Sequence, residues 1–155
     1  MTDEADRPAR GGPDSGPEVG ANRAGPGDDA GPGDDGPARR VAKPWGHELI
    51  WTRTDRYVGK LIVIEAGRRL SLQLHRHKDE SIYVVSGRLR LHLEDGDGVI
   101  RTIELGPGGH RRVPTGRRHR FEAIERVELI EVSTPELDDV VRLEDDYGRE
   151  GTSAP

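Results

Sequence analysis

Much of this chain alternates apolar and polar positions with a period of two. Leu70, Leu72 and Leu74 alternate with Ser71, Gln73 and His75, and Leu89, Leu91 and Leu93 alternate with Arg88, Arg90 and His92. Such alternation predicts half-buried strands. Residues 61–65, 82–85, 99–105, 119–124 and 127–132 form further short runs rich in Val, Leu and Ile. The breaks between them are turn chemistry: Ser86-Gly87, Asp95-Gly96-Asp97-Gly98 and Gly106-Pro107-Gly108-Gly109. No helical period of useful length precedes the C-terminal stretch. Many short strands with Gly and Pro between them predict an all-β domain, a sandwich or barrel of jelly-roll type.

Residues 1–40 break this pattern. They hold nine Gly and six Pro, and GPGDD occurs twice. A segment so poor in apolar residues cannot offset its ordering entropy, so a disordered tail is expected there. Residues 41–149 are expected to form the single folded domain, and residues 150–155 a second disordered end.

Charge and composition narrow the function classes. The tail carries nine acidic and five basic residues, so most of the net −5 lies there and the domain is close to neutral. A near-neutral domain with an acidic tail offers no field for nucleic acid or an anionic membrane. Cysteine is absent, which excludes disulfides and thiolate metal sites. The N-terminus lacks the basic and apolar segments of a secretory signal, and the longest apolar run, residues 61–64, cannot span a bilayer. A cytoplasmic protein is the expectation.

Candidate chemistry follows from spacing. Gln73 and His75 are two apart on a predicted strand, so their side chains leave one face. Glu80 starts the returning strand, and His119 arrives from a distant strand behind the rigid Pro114-Thr115-Gly116 turn. Two imidazoles, a carboxylate and an amide oxygen suit a borderline divalent cation, zinc first, with nickel, iron or manganese as alternatives. The other reading makes each histidine a hydrogen-bonding interior residue without a metal. His77 shares the parity of Gln73 and His75; it either lines the cavity or sits in a solvated turn.

The same residues match two motifs. Gly67, Gln73, His75, Glu80 and Gly87 stand at the spacing of the first cupin motif, with Gln in place of its first His. Gly108, Pro114, Gly116 and His119 stand at the spacing of the second, with Ala123 replacing its final Asn. The chain thus resembles the cupin superfamily, which implies a double-stranded β-helix. Within it, Lys43-Pro44-Trp45-Gly46, residues 69–75, Val84-Val85-Ser86-Gly87, residues 127–132 and residues 138–149 resemble the C-terminal domain of type II mannose-6-phosphate isomerase/mannose-1-phosphate guanylyltransferase enzymes. Departures from that family are Ser81 and Ile82, which replace its aromatic residue and His after the motif glutamate, and a shorter segment at residues 133–137 that implies an altered cavity wall.

The resemblance implies a metal-dependent aldose–ketose isomerase of sugar phosphates, in carbohydrate metabolism, and a homodimer. No stretch matches the family's nucleotidyltransferase domain, so nucleotide chemistry is not expected. Gln73, His75, Glu80 and His119 are the candidate metal ligands. His77 and Lys60 are candidates for moving the proton. Arg142 and Arg149, which match family positions, and Arg117, by its register with His119, are candidates for the phosphate. A non-catalytic sugar or sugar-nucleotide binding cupin and a metal-dependent oxygenase are the alternatives.

Overall fold

The computed structural model describes residues 37–152. Twelve strands follow one another in this span: β1 (Arg39–Lys43), β2 (Gly46–Arg53), β3 (Val58–Ile64), β4 (Leu72–Leu74), β5 (Glu80–Ser86), β6 (Leu89–Glu94), β7 (Ile100–Leu105), β8 (His110–Val113), β9 (His119–Ala123), β10 (Val127–Ser133), β11 (Val141–Glu144) and β12 (Gly151–Thr152). They form two antiparallel six-stranded sheets, ordered β1-β2-β3-β10-β5-β8 and β12-β11-β4-β9-β6-β7. The described residues contain no helix, and so none long and apolar enough to cross a membrane. The expected all-β jelly roll is what the chain forms.

Strand parity builds the interior. Leu89, Leu91 and Leu93 point inward from β6 and lie opposite Ala123, Phe121 and His119 of β9. From β3, β5 and β10 come Ile62, Ile64, Ile82, Val84, Val127 and Leu129, all buried. Trp45 joins this core from the β1–β2 turn. Gly46 can follow it because no side chain fits there: a Cβ would lie 2.1 Å from the Val63 carbonyl oxygen. Gly87 is constrained in the same way, with φ +77° and a Cβ position 2.0 Å from the Arg126 carbonyl oxygen.

The boundaries differ from the sequence expectation. β1 begins at Arg39 and pairs along its whole length with β2, so the domain starts before residue 41. β12 lies within the expected disordered end and pairs with β11 through Val141↔Thr152 and Arg142↔Gly151. Backbone pairing organises both ends, and the Gly- and Arg-rich compositions there carry no signal of it. The expected disorder of residues 1–36 and 153–155 lies outside the described residues.

Candidate metal centre

One row across the second sheet carries the polar site. Arg142 of β11 pairs with Gln73 of β4, Gln73 pairs with His119 of β9, and His119 pairs with Leu93 of β6. Cross-strand partners share a face, so Arg142, Gln73 and His119 project together into the interior. His75 follows from the end of β4, and Glu80 faces them from the start of β5.

His75, Glu80 and His119 are almost fully buried, at 2%, 2% and 1% exposure. One ligand atom from each lies within 4.8 Å of the others. The Nε2 atoms of His75 and His119 stand 3.4 and 3.2 Å from the two carboxylate oxygens of Glu80. His75 Nδ1 donates to the Asp139 carbonyl, and His119 Nδ1 donates to the Arg117 carbonyl at 3.0 Å. A carbonyl only accepts, so these contacts place a hydrogen on each Nδ1 and turn each Nε2 toward the Glu80 carboxylate. A nitrogen and a carboxylate oxygen facing each other at this distance are satisfied by a proton on Nε2 or by a metal ion between them. His75 Nε2 and Glu80 Oε1 have no hydrogen-bond partner although both are buried. The separations suit two ligands of one metal at bond lengths of about 2.0–2.2 Å, and histidines oriented by backbone carbonyls are the usual supporting arrangement. The residues present therefore fit a divalent ion.

Gln73 stands beside this group with its amide reversed. Its Oε1 accepts from Ser71 Oγ at 2.8 Å, and its Nε2 lies 3.4 Å from His119 Nε2. Turning the amide over brings the oxygen to the centre, and the Ser71 hydroxyl then accepts from the NH2 group.

Glu80 is held ionised by its surroundings. Burial pushes its carboxyl upward, but the Lys78 ammonium and the two imidazoles outweigh that and hold it well below the ordinary carboxylate range. Lys78 Nζ donates to Glu80 Oε2 and, at 2.8 Å, to Glu131 Oε1. Burial works against the Lys78 charge; Glu131 and Glu80 reverse this and raise its pKa. Lys60 continues the chain, 3.3 Å from Glu131 and 3.8 Å from Glu48, and Lys43 lies 3.9 Å from Glu48. Alternating charges thus run from Glu80 to the barrel mouth.

Beside the donors opens a cavity of 480 Å³, whose wall includes Gln73, His75, Lys60, Glu48, Arg142 and Arg149. Arg142 Nε is buried without a partner, and burial, followed by the charge of Arg149, pushes the Arg142 pKa down from its ordinary value. Arg149 is itself clamped by Asp145, through bonds of 3.1 and 2.7 Å.

Two expected site residues lie elsewhere. His77 is exposed and does not line the cavity, because β4 ends at Leu74 and the alternation stops before it reaches residue 77. Arg117 precedes β9, so it has no strand register with His119; its guanidinium donates to the Asp95 carbonyl, outside the cavity wall. Conversely, Glu131 and Lys78 were missed. Glu131 shares the inward parity of Val127 and Leu129, a charged residue in an apolar phase, and that signal was readable. Lys78 lies in a turn, where no period speaks.

Comparison with known proteins fits this geometry. A profile described as mannose-6-phosphate isomerase C-terminal matches residues 35–145. The chain is 38% identical over 116 residues to mannose-1-phosphate guanylyltransferase of Escherichia coli (strain K12), covering 72% of this chain and 23% of that protein. It is 34% identical over 114 residues to the alginate biosynthesis protein AlgA of Pseudomonas aeruginosa, covering 70% and 23%. The chain thus spans about a quarter of the length of these relatives. Among solved structures, oxalate decarboxylase from Bacillus subtilis superposes with a TM-score of 0.62 at 18% identity, covering 68% of this chain and 30% of that one. KdgF from Halomonas sp. does so with 0.55 at 24% identity, covering 65% and 89%. These two likenesses concern the fold alone. The chain belongs to the mannose-6-phosphate isomerase C-terminal family and has the cupin fold.

Proposed function

We propose that this chain is a metal-dependent isomerase of sugar phosphates, with mannose 6-phosphate and fructose 6-phosphate as the first pair to test. The three metal donors lie beside a cavity whose wall holds His75, Gln73 and Arg142, and the buried Nε of Arg142 has no partner there; this arrangement carries the assignment. Arg142 is directly opposite Gln73 in the sheet, and Gln73 is opposite His119. An anionic group on Arg142 therefore sits one to two strand spacings, about 5–10 Å, from the donor cluster. A hexose 6-phosphate spans that gap, with its phosphate on Arg142 and its C1–C2 end at the donors.

The ligands would be His75, Glu80 and His119, with Gln73 as a fourth donor through its amide oxygen. A divalent ion bound there supplies Lewis-acid polarisation of the sugar carbonyl. Isomerisation moves one proton between adjacent carbons and needs no oxidant. Lys60 and Glu48, 3.8 Å apart on the cavity wall, supply a proton donor and an acceptor. Lys78 keeps Glu80 ionised, and Arg149 keeps a second positive charge beside the phosphate.

The deciding experiment incubates the zinc- or manganese-loaded protein with mannose 6-phosphate in deuterated water. Deuterium entering at the sugar C2 or C1, abolished by chelation and restored by added metal, is the expected result. Tight binding of the sugar phosphate without any exchange would instead identify a non-catalytic binding cupin.

A further inference from the structure

β4, the strand that carries Gln73 and leads into His75, is held on one side by β11 along its length and on the other only sparsely. It has three residues and meets β9 at a single pair, Gln73↔His119. The turn that follows, residues 75–79, bears both His75 and Lys78. Besides the Gly116 N–H on the His75 carbonyl and Arg112 on Asp79, its support comes from the segment between β10 and β11. The Asp139 carboxylate accepts three successive backbone N–H groups: Arg76 at 3.1 Å, His77 at 2.5 Å and Lys78 at 2.8 Å. Consecutive amides converging on one anion form a nest of the kind that commonly binds free anions. Here the chain supplies its own. The main-chain carbonyl of the same residue accepts from His75 Nδ1. Thr134 closes the other side, donating its N–H to the Asp79 carbonyl at 3.0 Å and accepting the Asp79 N–H on its hydroxyl at 3.1 Å.

The same short segment builds the cavity. Leu137, Asp138 and Val140 line it, and Val141 and Arg142 pair with Leu74 and Gln73. We infer that residues 134–140 are a clasp that joins the metal shell to the cavity wall, with Asp139 as the positioning residue for His75. This rests on the metal reading above. Burial pushes the Asp139 carboxyl upward, and the three amides outweigh it, so the acceptor stays charged.

The test compares Asp139→Asn with the intact protein. Asparagine keeps the shape and the main-chain carbonyl but puts an NH2 where an acceptor is needed. The amides of Arg76, His77 and Lys78 in metal-free protein should exchange with deuterium at least about tenfold faster. The zinc dissociation constant should rise by about ten- to a hundred-fold, as expected for loss of a group that orients a ligand. Glu136→Ala, an exposed change in the same segment, should alter neither. Unchanged exchange and unchanged zinc affinity in Asp139→Asn overturn the clasp while leaving the metal site standing. Faster exchange in every strand would mean general unfolding and also overturn it. Failure of the intact protein to bind zinc or manganese would remove the metal reading itself, and the role of Asp139 with it.

Discussion

The barrel interior has an apolar half and a charged half, and the same strands build both. Along β10 the inward residues run Val127, Leu129, Glu131, Ser133. Along β3, which is antiparallel to it, the matching partners are Ile64, Ile62, Lys60 and Val58. β5 runs from Val84 and Ile82 to Glu80, and β9 from Ala123 and Phe121 to His119. Apolar rows close one half by burial alone. The other half opens on the cavity and is filled with ions that must satisfy one another, and every charge there has a partner or faces the cavity. The hydrophobic half stabilises the fold; the charged half consumes part of that stability and holds chemistry in place.

If this division is right, changes in the two halves separate stability from ligand binding. The largest effect expected is in the charged half: His119→Ala should abolish stoichiometric metal, measured by elemental analysis, and His75→Ala should do the same. Metal retained by both variants would remove the donor set. In the apolar half, Phe121→Ala should cost about 3–5 kcal/mol in urea denaturation while folded protein keeps its metal. Phe121 packs against the His119 ring at 5.7 Å between centroids, so loss of metal in this variant would show that the halves are coupled.

Arg142→Ala sharpens the comparison at the cavity edge. It should weaken sugar-phosphate turnover by about ten- to a hundred-fold, the equivalent of losing one charge-assisted contact of about 1.5–3 kcal/mol, with little change in melting temperature. The smallest effect is a pH dependence. Burial would raise the Glu131 carboxyl, but Lys60 and Lys78 hold it below its ordinary value. A depressed folded pKa gives stability that is complete above the unfolded value, about 4.3, and is lost as pH falls through the lower folded value. Urea midpoints should therefore fall below about pH 4.3, and Glu131→Gln should flatten that fall at a cost of about 1–3 kcal/mol near neutrality.

Local periodicity carried much of this outcome. The parity of Leu89, Leu91 and Leu93 and of Ser71, Gln73 and His75 assigned faces, and motif spacing brought His75, Glu80 and His119 into one group before any coordinates. Parity failed where strands end. His77 and Arg117 keep an even spacing from true inward residues, yet each lies beyond the end of its strand. β1, β2, β8, β11 and β12 gave no clear alternation; β1, β8 and β12 are edge strands, which pair through backbone whatever their side chains.

What the sequence by itself determined is the all-β class, the jelly roll and the histidine–glutamate cluster, because these depend on period and spacing along short stretches. Tertiary structure decided the rest. Lys78 meets Glu131 across 53 residues and Asp139 meets the 76–78 turn across more than 60. Such partners are chosen by where strands cross in space, and a buried charge is tolerated only where that crossing brings it a counter-ion.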